Sequence, residues 1–156
     1  MNNPSFIKVS ENEVFDINYL GNEIKWKAIS TDETNTFNNQ DLRSSFVYLT
    51  YKSNTEKTVL FEASGHTMLL INGLPHEGDH YDFGWNLIPL KLKKGTNVFV
   101  LKVGRFPRIR ARLIEPQKPV QFTSRDLTMP DILVEETKEY KGAIRVINAS
   151  NNWVEN

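Results

Sequence analysis

The stretch of sequence that decides the fold class is TMLLINGLP, residues 67–75. Its first five residues form a β-rich run that ends at the dipeptide Asn72-Gly73. This dipeptide is the strongest short-range signal for a β-hairpin, because both of its residues tolerate a positive φ angle. The sequence therefore predicts a β-strand over residues 67–71 that is followed by a tight hairpin turn.

Short β-rich runs lie on both sides of this hairpin, and polar turns separate them. Residues 46–51 are continuously apolar or aromatic, which favours a central strand buried on both faces. Residues 30–45 are rich in Thr, Asn, Asp and Gln, so we expect a long surface loop there. Several short strands at close spacing indicate an all-β fold, and we predict an antiparallel β-sandwich. The remaining predicted strands cover residues 14–17, 24–29, 58–63, 85–92, 98–103 and 108–114.

The composition changes after the last of these strands, where two prolines bracket a stretch that is typical of a linker. Further on, residues 142–148 form another β-rich run, and Trp153-Val154 marks the start of a further one. We therefore predict a β-sandwich over residues 1–115. Residues 116–156 are either a linker with the start of a second β domain, or strands that complete the first sandwich.

The bulk composition excludes several classes of function. The chain has 156 residues, with 19 Lys and Arg against 19 Asp and Glu, so no global field attracts nucleic acid or an anionic membrane. Cysteine is absent, which excludes disulfides, thiolate nucleophiles and cysteine-based zinc sites. No apolar run approaches the roughly 18 residues that a membrane-spanning helix needs. We predict no cofactor, no metal, no nucleic-acid partner and no insertion into a membrane.

The start of the chain, MNNPS, has neither the basic nor the apolar region of a signal peptide. The sequence by itself therefore leaves two compartments open. The protein is either cytoplasmic, or it is exported by a signal peptide that this sequence lacks.

Three segments of the chain resemble a known family. They are FEASGHTMLLINGLP at residues 61–75, GDHYDFGW at 78–85 and IPLKLKKGTN at 88–97. Together they resemble the galactose-binding-like β-sandwich (jelly-roll) modules of carbohydrate-active enzymes and of secreted bacterial esterase-like or peptidase-like proteins. The strand before Asn72-Gly73 often contains an aromatic residue in that family, whereas this chain has leucine and isoleucine. The resemblance extends over about residues 46–113, a little under half of the chain.

The resemblance implies a non-catalytic accessory or interaction module of a larger extracytoplasmic, hydrolase-like protein. Such modules pack on an adjacent domain of the same polypeptide, and the catalytic residues lie on that other domain. An alternative is a carbohydrate-binding module that holds a glycan with aromatic residues of its loops, here Tyr81 and Trp85. Localisation outside the cytoplasm follows from the resemblance as well. A small enzyme in its own right is a third hypothesis, although the chain has no Gly-x-Ser-x-Gly motif.

The loop HEGDHYD, residues 76–82, concentrates two of the three histidines beside three acids. Imidazole and carboxylate groups together suit zinc, but the His-x-x-x-His spacing presents one metal-binding face only on a helix. Gly78 argues for a loop instead, so we expect Asp79 to cap backbone N–H groups and Tyr81 to pack its ring beneath the loop. If the loop contacts a ligand, the candidate residues are Asp79, His80, Tyr81, Asp82 and Trp85.

Two tryptophans are candidates for stacking on a sugar ring, because a planar indole offers a large contact area at low entropic cost. Trp26 lies in a run with strand-like alternation, which favours a position in the core or on a sheet face. Trp85 adjoins the glycine-containing loop, so a role at the surface is a stronger alternative there.

Arginines form the sharpest local charge feature. On a strand over residues 108–114, Arg108, Arg110 and Arg112 share one face, and the apolar residues between them share the other. Three guanidinium groups in a row repel one another unless acids, an anion or a partner domain lie opposite. Three interpretations stay open at this point: a solvated or carboxylate-paired face, an interdomain contact, and a site for a phosphate or a uronate.

Overall fold

The computed structural model describes residues 8–79, 81–150 and 152–153. Within them the chain forms twelve β-strands and a 3-10 helix at Gln40–Leu42. The strands are β1 (Val14–Ile17), β2 (Glu23–Lys25), β3 (Thr36–Asn38), β4 (Phe46–Ser53), β5 (Lys57–Ser64), β6 (His66–Ile71), β7 (Leu74–His76), β8 (Leu87–Leu92), β9 (Gly95–Val103), β10 (Arg108–Ile114), β11 (Val120–Thr128) and β12 (Ala143–Asn148).

Two four-stranded antiparallel sheets form the sandwich, which confirms the predicted fold class. The first sheet has the order β3-β10-β5-β8 and the second has the order β4-β9-β6-β7. Every second residue of these strands points inward, because side chains alternate across a pleated sheet. Phe61 of the first sheet stacks on Phe99 of the second, with 5.8 Å between ring centroids. Leu69, Leu92 and Leu101 are fully buried beside them in one continuous core.

The predicted hairpin at Asn72-Gly73 is confirmed. β6 and β7 pair directly, with Ile71 opposite Leu74, so the turn contains two residues. Asn72 has a φ of 48° and Gly73 a φ of 88°, and two successive positive φ angles match the right-handed twist of the flanking strands.

The strand predicted over residues 46–51 is confirmed, but its predicted central position and complete burial are wrong. Within the described residues β4 pairs with β9 alone, so it is an edge strand, and Tyr51 is exposed. The apolar run has another cause. The hairpin of β1 and β2 covers the outer side of β4, with Trp26 against Tyr48 and Phe15 against Phe46. Trp26 therefore has a packing position on a sheet face.

The expectation of a surface loop over residues 30–45 also needs correction. The segment contains β3 and the 3-10 helix, and it contributes Phe37 and Leu42 to the core. β3 pairs with β10 over only three residues, and of these Phe37 is the one buried in the core. A single buried residue between polar neighbours produces no apolar run, which is why the sequence pattern does not reveal it.

The segment after β10 forms a two-stranded antiparallel ribbon of β11 and β12. β12 matches the run predicted at residues 142–148, whereas β11 lies in a segment for which no strand is predicted. Ile147 and Ala149 pack against Leu60, so the ribbon lies on the outer side of the first sheet. Trp153 is almost fully exposed and outside any strand, and Val154 lies outside the described residues. Both alternatives for this segment, the start of a second domain and the completion of the first sandwich, stay predictions.

Candidate functional site: an aromatic strip beside an arginine pocket

The loop between β7 and β8 is organised by Asp79, as the sequence predicts. The Asp79 side chain is buried, and its Oδ2 accepts hydrogen bonds from the backbone N–H groups of Gly65 (3.2 Å) and Gly84 (3.1 Å). The Asp79 N–H donates to the carbonyl oxygen of His66 at 2.7 Å. The bonds with Gly65 and His66 tie the loop to the turn between β5 and β6, and the bond with Gly84 closes the loop on itself.

Gly78 lets the same loop lie directly on β6. A Cβ atom at this position would be 2.3 Å from the carbonyl oxygen of Thr67, which is far inside van der Waals contact. Only glycine permits such a close approach of two backbone segments. The start of the loop is therefore held against the sandwich, and its second half extends into solvent.

Three aromatic side chains of this second half form what we call the aromatic strip, namely Tyr81, Phe83 and Trp85. Their exposed fractions are 77%, 58% and 41%. Tyr81 and Phe83 are stacked with ring centroids 5.8 Å apart, and Phe83 and Trp85 are 4.5 Å apart. The expectation that Tyr81 packs beneath the loop is wrong, because the ring stacks on Phe83 at the surface instead.

Phe83 was not a candidate from the sequence, yet it is the middle ring of the strip. The intervening residues Asp82 and Gly84 both have positive φ angles, of 57° and 67°. A regular i, i+2 spacing of aromatics in a glycine-containing loop is the signal that could have identified Phe83. The spacing alone does not place the three rings on one side, because that depends on the backbone angles of the residues between them.

A polar pocket of about 330 Å³ lies next to the strip, and we call it the arginine pocket. Phe83 forms part of its wall, so the strip and the pocket share a side chain. Its charged lining residues come from β5, β10, β11 and the loop, and they are Glu62, Asp82, Arg108, Arg110 and Arg125.

Glu62 is the electrostatic centre of this region. Its side chain is only 8% exposed, and it is hydrogen-bonded to Arg112 and Arg125, with a nitrogen of Arg110 at 3.8 Å. Burial raises the pKa of Glu62, but the hydrogen bonds and positive charges of Arg112 and Arg125 outweigh it, so the net pKa lies below the ordinary value. Glu62 is therefore ionised at neutral pH.

The arginine face predicted on β10 is paired with carboxylates inside this chain. Arg108 Nη2 is 2.9 Å from Asp82 Oδ2, and this hydrogen bond raises the pKa of Arg108 above its ordinary value. Arg110 and Arg112 contact Glu62, as described above. This geometry matches the carboxylate-paired interpretation, while the interdomain contact and the anion site stay predictions.

His80 lies outside the described residues. Of the other histidines, His66 is buried with its ring edge-on to Phe61, and burial lowers the pKa of His76. Among the residues that the structure describes, no group of three or more His, Asp or Glu side chains could hold a metal ion.

A second surface feature is the outer ribbon face, formed by Val120, Phe122, Ile144 and Val146. Phe122 pairs with Val146 across the ladder, and the other two lie two residues away on the same side. Their exposed fractions range from 36% to 69%. The opposite side of the ribbon faces the sandwich through Ile147.

Comparison of the chain with protein-family models, curated proteins and solved structures gives no match. Across the described part of the chain, no helix has the length and apolar character required to span a membrane.

Proposed function

We propose that the chain is a non-catalytic accessory module of a larger extracytoplasmic, hydrolase-like protein, and that it packs on an adjacent domain of the same polypeptide. The observation that supports this most directly is the outer ribbon face. The resemblance to galactose-binding-like modules supports the accessory setting and the location outside the cytoplasm.

The physical argument starts from the ribbon itself. A two-stranded sheet is marginally stable in water and needs a packed layer on its apolar side. This ribbon packs one side on the sandwich and exposes a row of apolar side chains on the other. Contiguous exposed apolar patches of this kind mark interaction sites. An adjacent domain placed over Phe122 and Val146 would remove them from water.

The double substitution Phe122→Ser and Val146→Ser tests this docking. In the full-length polypeptide that contains the adjacent domain, we expect at least about tenfold faster proteolysis at the domain boundary. Burial of each apolar side chain contributes about 1.5–3 kcal/mol, which the substitutions would remove from the contact. Hydrogen exchange of β11 and β12 should also be slower in the full-length protein than in the isolated chain.

Leu74→Ser is the matched control, because Leu74 is an equally exposed apolar residue on β7. It should leave the proteolysis rate and the exchange of the ribbon unchanged. The Tm of each isolated chain shows whether the variants are folded. If they are, equal proteolysis rates and equal ribbon exchange in the double variant and this control would rule out docking through the ribbon.

The aromatic strip favours a second candidate function, glycan binding by the same module. Aromatic rings bind the C–H face of a sugar through large contact area at low conformational cost. Three neighbouring exposed rings offer successive positions for such contacts, and they lie on a loop that Asp79 fastens to the sandwich. The two functions are compatible, because the strip and the outer ribbon face consist of different residues.

The variants Phe83→Ala and Trp85→Ala test glycan binding. Affinity electrophoresis in gels that contain neutral and acidic plant and bacterial polysaccharides measures retention of the chain. We expect each variant to lose at least about tenfold in affinity for the retained polysaccharide, equivalent to about 1.4 kcal/mol. The Tm of Phe83→Ala should change little, since this ring is 58% exposed, whereas Trp85 is 41% exposed and its removal should lower the Tm more.

Trp153→Ala provides the control for a generic effect of exposed tryptophan, because Trp153 is 97% exposed and lies outside the loop. It should bind as the unmodified chain does. Retention that survives both Phe83→Ala and Trp85→Ala would exclude the strip as the binding site.

A further inference from the structure

The arginine pocket contains more cations than carboxylates. Its lining includes three guanidinium groups, from Arg108, Arg110 and Arg125, and two carboxylates, from Glu62 and Asp82. Two further charged groups lie just outside the lining: Arg112 hydrogen-bonds Glu62, and the buried Asp79 carboxylate accepts backbone N–H groups. These two charges cancel, so the excess of one positive charge remains. A partly enclosed site with this balance favours an anionic group.

Arg110 is the cation best placed to bind such a group. Its Nε donates to the carbonyl oxygen of Thr34 at 3.2 Å, which fixes the orientation of the guanidinium plane. Its nearest Glu62 oxygen is 3.8 Å away, beyond hydrogen-bonding distance, so Glu62 attracts the Arg110 charge without a direct hydrogen bond. A guanidinium group has five N–H donors, and the Arg110 side chain is 42% exposed where it lines the pocket.

Phe83 connects the arginine pocket to the aromatic strip. The same ring stacks with Tyr81 on one side and lines the arginine pocket. Phe83 lies between Tyr81 and Trp85 but is still 58% exposed, so a sugar ring that contacts its exposed part would have a charged substituent within reach of the pocket. Arginine suits this contact because its planar fork matches the two oxygens of a carboxylate, and a sulfate offers similar oxygens.

We propose that the arginine pocket binds the negatively charged substituent of an acidic sugar while the aromatic strip contacts the sugar ring. The ligand is then an anionic glycan, with a carboxylate or a sulfate on the sugar. This inference rests on the glycan-binding candidate function, because the strip supplies the sugar contact. It adds the class of glycan and a specificity-determining residue, Arg110.

The test compares three soluble polymers of matched length: a polygalacturonate, its carboxyl-reduced neutral galactan, and a sulfated galactan. Isothermal titration calorimetry at 50 mM and 300 mM NaCl measures the affinities. We expect at least tenfold tighter binding of a charged polymer than of the neutral one, with a preference that shrinks at the higher salt concentration. The first and third polymers distinguish a carboxylate from a sulfate as the recognised group.

Arg110→Gln should remove the preference for the charged polymer and leave the weaker binding of the neutral polymer unchanged. Lys91→Gln is the charge-matched control, because Lys91 is an exposed cation on β8 that pairs with Glu56 away from the pocket. It should retain the full preference, and circular dichroism and Tm confirm that both variants are folded.

Two outcomes overturn the proposal in different ways. Equal affinity for the neutral and charged polymers, or an unchanged preference in Arg110→Gln, rejects the anionic-sugar inference while glycan binding by the strip stands. Absence of binding to all three polymers and to the wider polysaccharide panel rejects the glycan-binding function and the inference together.

Discussion

Replacement of Asn97 by aspartate is expected to lower the free energy of unfolding by about 3 kcal/mol at pH 7, the largest effect we expect from a single isosteric change. Asn97 is fully buried near the start of β9, next to the turn that follows β8. Its Nδ2 donates to the carbonyl oxygens of Lys93 (2.9 Å) and Gly95 (3.2 Å), and its Oδ1 accepts from the Lys93 N–H at 3.0 Å.

The same side chain joins the turn between β6 and β7 to the connection between β8 and β9, which links the two sheets. Asn72 Nδ2 donates to Asn97 Oδ1 at 3.0 Å, and Asn72 Oδ1 accepts from the N–H of Val98 at 3.0 Å. An aspartate at position 97 loses both donated hydrogen bonds and places a negative charge against two carbonyl oxygens. Each buried acceptor left without its donor costs about 1–3 kcal/mol.

Urea denaturation of Asn97→Asp between pH 4 and pH 8 measures this effect. A buried carboxylate without cations has a raised pKa, so the destabilisation should increase with pH as the group ionises. Asn39→Asp is the matched control, because Asn39 is exposed and its side chain only accepts, from the N–H of Asp41. It should change stability by less than about 0.5 kcal/mol. If both variants lose a similar amount of unfolding free energy, the hydrogen bonds of Asn97 are not the cause of the effect.

Glu62→Gln is the second change with a large expected effect. We expect it to lower the free energy of unfolding by about 2 kcal/mol. Removal of one partner from a fully buried ion pair costs about 3–5 kcal/mol, but the arginines around Glu62 are partly solvated, which reduces the cost. A glutamine keeps the shape and loses the charge, so the guanidinium groups of Arg110, Arg112 and Arg125 repel one another. The ribbon of β11 and β12 should also pack less tightly on the sandwich, because its Arg125 forms an ion pair with Glu62.

The pH dependence gives this prediction a distinctive signature. The pKa of Glu62 is lower in the folded chain than its ordinary value of about 4.3, so its stabilisation is complete above that value and disappears as pH falls through the lower, folded pKa. The difference between the wild-type chain and Glu62→Gln should therefore be constant near pH 7 and shrink below about pH 4.

Glu56→Gln controls for the chemistry of the substitution. Glu56 pairs with Lys91 at 2.8 Å, but both side chains are more than half exposed. Exposed pairs contribute about 0–1 kcal/mol, so this variant should unfold close to the wild-type midpoint. Indistinguishable urea midpoints for Glu62→Gln and the wild-type chain would show that Glu62 does not stabilise the fold.

Local patterns were sufficient to predict much of the sandwich. The Asn72-Gly73 turn and the alternating strand over residues 108–114 agree with the structure, because a tight turn and a period of two are properties of neighbouring residues. The buried Asp79 was also predicted as a capping residue. The prediction was wrong for β4, where the partner that covers Phe46 and Tyr48 is a distant hairpin rather than another sheet layer.

The candidate site was also predicted only in part. Tyr81 and Trp85 were candidates because of their residue type, whereas Phe83 was missed and Tyr81 was placed on the wrong side of the loop. The arginines of β10 were identified as one face, but their partner Glu62 could not be chosen among 19 acids. That choice depends on β5 lying beside β10, where Glu62 is opposite Arg112.

The sequence by itself therefore determined the fold class, the hairpin built on TMLLING and the shared face of three arginines, since each depends on residues that are close along the chain. Tertiary structure alone decided that β11 and β12 form a ribbon with an exposed apolar side. It also decided that Phe83 connects the aromatic strip to the arginine pocket. These features join residues far apart in the chain, and their positions depend on which strands pair and which faces pack together.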